Sequence, residues 1–179
     1  MSKIKACARS GDIELLYLDE AGFSCLPNVQ RSWSPLGLPH TADASLGQQR
    51  VNVIGALDYG QNKLHFDISP QTITRDQVIH FLDRLAQTSP PDKFTLVIMD
   101  NASMHHYLPQ NLTDRWLLEY RFIPLYLPPY SPELNLIEIL WKHAKYHWRT
   151  FTSWSRDTLL GEVKALLNNY GTKFHICYA

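Results

Sequence analysis

Hydrophobic residues follow two kinds of pattern along the chain, and each pattern predicts a different element. Apolar runs of strand length occur five times, at residues 14–18, 51–57, 63–68, 94–99 and 121–127. Turn-forming residues from Tyr59 to Asn62 join the second run to the third, so the first three runs predict an antiparallel meander. The run at 94–99 is apolar throughout, which is typical of a strand buried on both faces in a parallel arrangement.

Helical spacing of apolar residues marks four further segments, at about residues 74–88, 112–118, 131–149 and 155–169. The first opens with a capping box formed by Thr74 and Gln77. The third opens with Ser131 and Pro132, an N-cap hydroxyl followed by a residue whose φ is preset for a helix. The order of elements predicts one α/β domain, built on a mixed five-stranded sheet flanked by helices.

Composition is typical of a globular chain and excludes several classes of protein. The 179 residues are 45% hydrophobic and 19% charged, which suits one domain with a sizeable core. The net charge is zero, so any basic surface must be local. Three widely spaced cysteines fit neither a disulfide framework nor a cysteine zinc site. No apolar run approaches the roughly 18 residues of a membrane span, and we expect a soluble, cytoplasmic protein.

Boundaries within the chain are few. Residues 1–12 have little apolar pattern and are mildly basic, so we expect a linker remnant or a frayed start there, followed by a single domain at 13–179. The segment 26–46 contains three prolines and is long for a connection without regular structure, which favours a functional loop.

Three acidic residues stand where these elements would meet. Asp19 follows the first strand, Asp100 follows the fourth, and Glu138 lies on the helix after the fifth. A mixed sheet of this order places its first and fourth strands side by side, and a helix crossing one face can add the third carboxylate. Clustered carboxylates repel one another and have raised pKa values unless a cation lies among them. Oxygen ligands of this kind suit Mg²⁺ or Mn²⁺.

Each of these acids also has a simpler interpretation. Asp19 could be a turn former, with Glu20 as the ligand after a one-residue change of register. Asp100 could cap a helix or form an Asx turn. Glu138 could pair with Lys142, four residues later, as surface support for its helix. Spacing and periodicity alone leave these interpretations open.

Three segments give a more specific signal, and they are LLYLDEAGF, IMDNASMHH and LPPYSPELNLIEILW. They resemble the three acidic motifs of the aspartate-aspartate-glutamate transposases of the mariner superfamily, in particular its bacterial insertion-sequence-630 branch. The resemblance covers about residues 12–150, and its third motif is the most specific. Asp100 and Glu138 are separated by 37 residues, which lies within the range of that branch.

This resemblance implies a ribonuclease-H-like catalytic core that cleaves DNA and transfers the cut strand. It implies that Asp19, Asp100 and Glu138 bind two divalent ions, Mg²⁺ with Mn²⁺ as a substitute. The DNA partners would be the transposon ends and a target, a TA step in relatives, with a homodimer assembled on the DNA. Relatives also have an N-terminal helix-turn-helix region, which we expect to be absent here and supplied, if at all, by a separate reading frame.

Polar residues near the acids are expected to assist them. A basic row shares the edge of the helix that Glu138 occupies and is predicted to contact the DNA backbone, as positions after the glutamate do in related retroviral integrases. The residues of this row are Lys142, Lys145 and Arg149. Accessory residues suggested around the acids are Asn101, His105 and Asn135. A solvated basic face and ordinary loop hydrogen bonds are the alternatives, and Trp141 is expected to be structural.

The leading hypothesis is therefore a transposase catalytic domain, a Mg²⁺- or Mn²⁺-dependent polynucleotidyl transferase with nuclease activity. One alternative is a metal-dependent nuclease of the same fold without strand transfer. Another is an inactive remnant that only binds DNA or dimerises. The presence of all three acids argues against the remnant, because a decayed site has no reason to keep them.

Overall fold

A five-stranded mixed sheet with helices on both faces forms the centre of the molecule in a computed structural model of the chain. The structure describes residues 2–24, 35–38, 50–101, 108–129, 131–148, 156–172 and 176. The strands are β1 (Ile13–Ser24), β2 (Arg50–Asp58), β3 (Lys63–Ser69), β4 (Phe94–Met99) and β5 (Phe122–Tyr126). The helices are α1 (Ser2–Ser10), α2 (Arg75–Thr88), α3 (Gln110–Tyr120), α4 (Ile137–Trp148) and α5 (Arg156–Asn168). No helix in these ranges has the length and apolar character that crossing a membrane requires.

The strands lie in the order β3-β2-β1-β4-β5. β1 pairs with β2, and β2 with β3, in antiparallel register, which confirms the predicted meander. β4 lies parallel to both β1 and β5, so the fourth strand is beside the first, as the order of elements predicts. The predicted mixed five-stranded sheet is therefore confirmed.

Alternation along β1 divides the hydrophobic core between the two faces of the sheet. Odd-numbered residues such as Tyr17 pack in a cluster with α4 and α5, which contribute Leu140 and Val163. Even-numbered residues such as Leu18 pack in a second cluster with α2 and α3, where Trp116 is fully buried. We refer to these two layers as the α4–α5 face and the α2–α3 face.

Strand β1 is longer than its apolar run predicts. The run at 14–18 places Asp19 at the end of a strand, but β1 continues to Ser24. Its second half is held by β2, in a register that runs from Asp19 opposite Gly55 to Ser24 opposite Arg50. β4 ends earlier, because its last partner in β1 is Leu18. Asp19 therefore lies inside β1, at the point where the parallel neighbour stops.

Helix α4 begins later than the Ser131–Pro132 signal predicts. Those residues open a short 3₁₀ turn at Pro132–Leu134, and α4 starts only at Ile137. Between them Asn135 is buried, and its side chain donates a hydrogen bond to the backbone carbonyl of Leu18. Because α4 starts only after Asn135, Glu138 lies in the first turn of α4 and not in the second.

The expected linker at residues 1–12 is wrong for the part that the structure describes. Residues 2–10 form α1, whose Ala8 is buried against the rest of the core. Gly11 ends this helix with a φ of 85°. Its amide donates to the carbonyl of Ala8, and the amide of Asp12 donates to the carbonyl of Cys7. These two bonds form a Schellman motif, which a glycine after a helix favours.

Candidate active site

Strand alternation places Asp19 beneath helix α4. Asp19 is an odd-numbered residue of β1, like Tyr17 and Ala21, which pack on the α4–α5 face. Glu20 has the parity of Leu18, which belongs to the α2–α3 face. Both acids line one cavity, but the alternation directs Asp19, and not Glu20, towards the helix that contains Glu138.

Asp100 lies beside Asp19 because of the parallel register of β1 and β4. Met99, the last residue of β4, is paired with Leu18, so the residues that follow them are neighbours at the same edge. Asp100 is partly buried. It also continues the parity of Ile98, which packs on the α4–α5 face. Two acids that are far apart in the chain thus come together on one face of the sheet.

The third acid, Glu138, is brought to this edge by the first turn of α4. Its amide donates to the carbonyl of Asn135 at 3.1 Å. The side chain of Asn135 in turn donates to the carbonyl of Leu18, one residue before Asp19, at 2.9 Å. A single buried amide therefore joins the start of α4 to the backbone beside the first acid.

The electrostatics of the three carboxylates are coupled. The pKa of Asp19 is raised to about 7, mainly by burial and in smaller part by the charges of Glu20, Asp100 and Glu138, while a hydrogen bond from the backbone of Glu20 opposes the rise. Burial and then the charge of Asp100 raise the pKa of Glu138, while Lys145 opposes them. Carboxylates that raise one another's pKa lie close enough to repel, which is the situation that a bound cation relieves.

The cavity at this edge has a volume of about 410 Å³. Acidic and basic side chains both line it, and its lining residues are Asp19, Glu20, Glu138, Trp141, Lys142 and Lys145. Lys142 is exposed and Lys145 half-buried. A cavity lined by both carboxylates and ammonium groups can hold a cation and a polyanion together.

Metal binding was tested against the residues present. Within the described ranges no three His, Cys, Asp or Glu side chains stand close enough together to hold one ion. The donor chemistry nevertheless fits, because Asp19, Asp100 and Glu138 offer only carboxylate oxygens, the ligands that Mg²⁺ and Mn²⁺ prefer. The acids are within electrostatic range of one another, without a closed coordination shell.

The accessory predictions divide into residues that the structure describes and residues outside it. Asn135 lies at the site, as its bond to Leu18 shows. Asn101 is partly buried and directly follows Asp100. His105 and Arg149 lie outside the described residues, so their predicted roles stay predictions.

One contact at the site was missed by the sequence analysis. Gly55 is paired with Asp19 across β1 and β2, and the ring of Trp141 lies against its backbone. The available signal was a glycine within a strand pattern, which often marks the close approach of another group.

Known proteins provide an independent view of the chain. Residues 14–160 match the family described as DDE superfamily endonuclease. The chain is 27% identical over 134 residues to the insertion element IS630 uncharacterized 39 kDa protein of Shigella sonnei, which confirms the resemblance to that branch. This match covers 74% of the chain but only 38% of the Shigella protein. The chain therefore corresponds to much less than the full length of this relative.

Solved structures share the fold at low sequence identity. A Mos1 strand transfer complex has a TM-score of 0.65 at 17% identity, over 97% of this chain and 50% of that one. A Mos1 mariner paired end complex with Mn has a TM-score of 0.64 at 15% identity, over 97% and 53%. A simian T-cell lymphotropic virus intasome has a TM-score of 0.56 at 12% identity, over 92% and 50%. The ribonuclease-H-like fold is thus confirmed, and the chain belongs to the DDE superfamily endonuclease family.

Proposed function

We propose that this chain is the catalytic part of a transposase, which cleaves DNA at the ends of a mobile element and joins the freed 3′-hydroxyl to a target. The observation that supports it most is the approach of Asp19, Asp100 and Glu138 to within electrostatic range of one another, with Asp19 and Glu138 lining one cavity, in a chain of the DDE superfamily endonuclease family. The acids come from two strands and a helix, so their meeting is a property of the fold and not of one local motif.

In this proposal the three carboxylates hold two divalent ions, Mg²⁺ or Mn²⁺. Such ions activate the attacking hydroxyl or water and stabilise the leaving oxygen of a phosphodiester. The pKa of Asp19 is raised to about 7, so a cation that binds this carboxylate would compete with a proton near neutral pH. Asn135 fixes the backbone next to Asp19.

The basic residues of α4 would hold the DNA backbone beside the acids. Lys142 and Lys145 line the same cavity as Glu138, and Arg149 is the predicted continuation of the row. An ammonium group within reach of both a carboxylate and the cavity can bind a phosphate without any base contact. This arrangement favours backbone positioning over sequence recognition.

Partners follow from the same proposal. The chain would act on transposon ends and on target DNA, with TA as the target step, as a homodimer on DNA. Support comes from the paired end and strand transfer complexes among the structural neighbours. The bacterial source of the IS630 relative favours the cytoplasm, at the nucleoid, as the place of action.

The test uses two probes in one reaction series with Mg²⁺ or Mn²⁺. A supercoiled plasmid reports strand cleavage, and a labelled duplex with a free 3′-hydroxyl, mixed with plasmid, reports joining. We expect both products from the wild-type chain and neither from Asp100→Asn. Nicked plasmid without joined product would favour the nuclease, and DNA binding without either product would favour the inactive remnant.

A further inference from the structure

Strand β2 lacks a side chain at the position opposite Asp19. Gly55 is the partner of Asp19 in the β1–β2 register. A Cβ atom at this position would lie 2.8 Å from Cη2 and 2.9 Å from Cζ2 of Trp141, and 3.3 Å from Cδ1 of Leu64. Contacts this short do not occur between real side chains, so the indole ring lies directly on the backbone of β2.

The ring that occupies this space is rigid and buried. Trp141 belongs to α4, is 4% exposed, and packs in the cluster of the α4–α5 face. Its Nε1 has no hydrogen-bond partner in the part of the chain that the structure describes. A buried N–H without a partner is unfavourable, a cost that a phenylalanine would avoid. The advantage of tryptophan at this position is therefore its larger ring, which extends to the backbone of β2.

Two contacts fix the distance of α4 from the sheet, one on each side of Glu138. Three residues before it, Asn135 donates to the carbonyl of Leu18. Three residues after it, Trp141 rests on Gly55. Glu138 and Trp141 are three positions apart in α4 and so lie on the same side of the helix, while Asn135 lies just before the helix begins. Leu18 precedes Asp19 in β1, and Gly55 lies opposite Asp19 in β2. Both contacts therefore position Glu138 relative to the same carboxylate, that of Asp19.

We propose that Gly55 and Trp141 form a positioning pair, which sets the height of α4 above the sheet and so controls the distance of Glu138 from Asp19 and Asp100, on which the sharing of a divalent cation depends. The inference rests on the proposed function, because it assigns the pair to the metal site of that function. Neither residue contacts the cation. Both act through the placement of the glutamate.

The experiment is a double-mutant cycle on Mn²⁺ affinity, measured by calorimetry on the full chain without DNA. Gly55→Ala forces the indole away from β2 and should weaken Mn²⁺ binding by about 10-fold, the effect usual for residues that orient ligands. Trp141→Phe removes the contact of α4 with Gly55 and should also weaken Mn²⁺ binding. In the double variant, the shorter ring at position 141 leaves room for the methyl group added at position 55. Its Mn²⁺ affinity should therefore lie within about threefold of wild type, because the effects of substitutions at contacting residues are not additive.

Gly161→Ala is the matched control. Gly161 lies in α5, where an added Cβ meets nothing within 4 Å, so this variant should bind Mn²⁺ as the wild type does. The proposal is overturned if Gly55→Ala behaves like this control, or if the double variant is as weak as Gly55→Ala alone. It is also overturned if the wild-type chain binds no Mn²⁺, because there would be no ligand set to position.

Plasmid cleavage, measured in parallel, separates this proposal from the proposed function. A wild-type chain that binds Mn²⁺ with the predicted cycle but leaves DNA intact would sustain the positioning pair and reject the nuclease. If the wild-type chain cleaves DNA but Gly55→Ala binds Mn²⁺ as tightly as Gly161→Ala, the nuclease activity is supported and the positioning pair is rejected.

Discussion

The two faces of the sheet each bury a tryptophan, and they treat its N–H group in opposite ways. On the α2–α3 face, the indole of Trp116 donates to Asp83 at 2.8 Å. This bond, together with Arg115, holds the pKa of Asp83 below its usual range. On the α4–α5 face, Trp141 has no such acceptor within the described ranges, and the nearby Asp19 has its pKa raised to about 7.

Under the proposed function, the difference separates a face that stabilises the fold from a face that binds a ligand. On the α2–α3 face, a carboxylate and its donors satisfy one another and gain from being charged. On the α4–α5 face, carboxylates gather where burial and mutual repulsion make their charged forms unfavourable. A fold keeps such an arrangement where binding something else relieves it.

The largest effect is expected from Asp19→Asn. This change removes one cation ligand, so DNA cleavage should fall by on the order of 10³-fold, equivalent to about 4 kcal/mol in the barrier. Thermal stability should not fall, because the charge removed is an unfavourable one. The measurement is plasmid nicking in Mn²⁺ together with a melting curve. Asp92→Asn, at an exposed turn before β4, is the control, and cleavage by Asp19→Asn at the wild-type rate would contradict the assignment.

Asp83→Ala should have the converse effect. It leaves the buried N–H of Trp116 without its acceptor, so the free energy of unfolding should fall by about 1–3 kcal/mol while Mn²⁺ affinity is unchanged. The pKa of Asp83 is lowered in the folded state, so its stabilisation is present above its ordinary pKa and is lost as the pH falls through the folded value.

Urea titrations of Asp83→Ala at neutral and acidic pH should therefore show a gap from wild type that narrows in acid. Asp76→Ala, at an exposed position of the same helix, provides the control. A gap of equal size at both pH values would mean that the charge of Asp83 has no part in its effect.

Lys145→Ala examines the basic side of the cavity. Lys145 lowers the pKa of Glu138 and lines the cavity with it, so its loss should weaken DNA binding several-fold and reduce the salt slope of affinity by about one. Binding to a labelled duplex over a series of salt concentrations measures both. Lys164→Ala, on an exposed position of α5, should leave the slope as it is. The same slope for both variants would remove Lys145 from the interface.

The smallest effect is expected from Glu14→Gln. Burial raises the pKa of Glu14 despite a 2.7 Å hydrogen bond from the Thr95 hydroxyl. When the pKa of a carboxyl is raised in the folded state, the protein becomes less stable as the pH rises through that pKa. Glutamine keeps an acceptor for Thr95, so the variant should melt slightly higher than wild type at neutral pH and not in acid.

Glu119→Gln, at an exposed position of α3, should show no such gain. Cleavage should be the same for Glu14→Gln and wild type, because Glu14 does not line the cavity of the acids. Lost cleavage would show that the catalytic face extends beyond that cavity.

Local patterns predicted the elements well, and long-range pairing decided what they missed. The capping box at Thr74 and Gln77 forms as predicted, because both partners are three residues apart. The extension of β1 beyond Asp19 depends on β2, whose pairing residues lie 26 to 34 positions later. The delayed start of α4 depends on a bond from Asn135 to Leu18, 117 positions away.

The candidate site shows the same division between what local patterns predict and what long-range pairing decides. The motifs predicted which acids would meet, and the order of elements predicted that β1 and β4 would be neighbours. The contact of Trp141 with Gly55 could not be predicted from either segment, since a helical tryptophan on an apolar stripe is usually ordinary core. Only the register of β1 and β2 reveals that this glycine lies opposite Asp19.

The parallel pairing of β1 with β4 also determines when, during synthesis, the three acids can come together. Strand residues about eighty positions apart must pair before Asp19 and Asp100 are neighbours, and Glu138 follows later still. Long-range parallel pairing is slow to form, and chains emerge from the ribosome N-terminus first. An unfinished chain therefore contains acids but no assembled site, so the activity proposed for this chain would begin only with a complete copy.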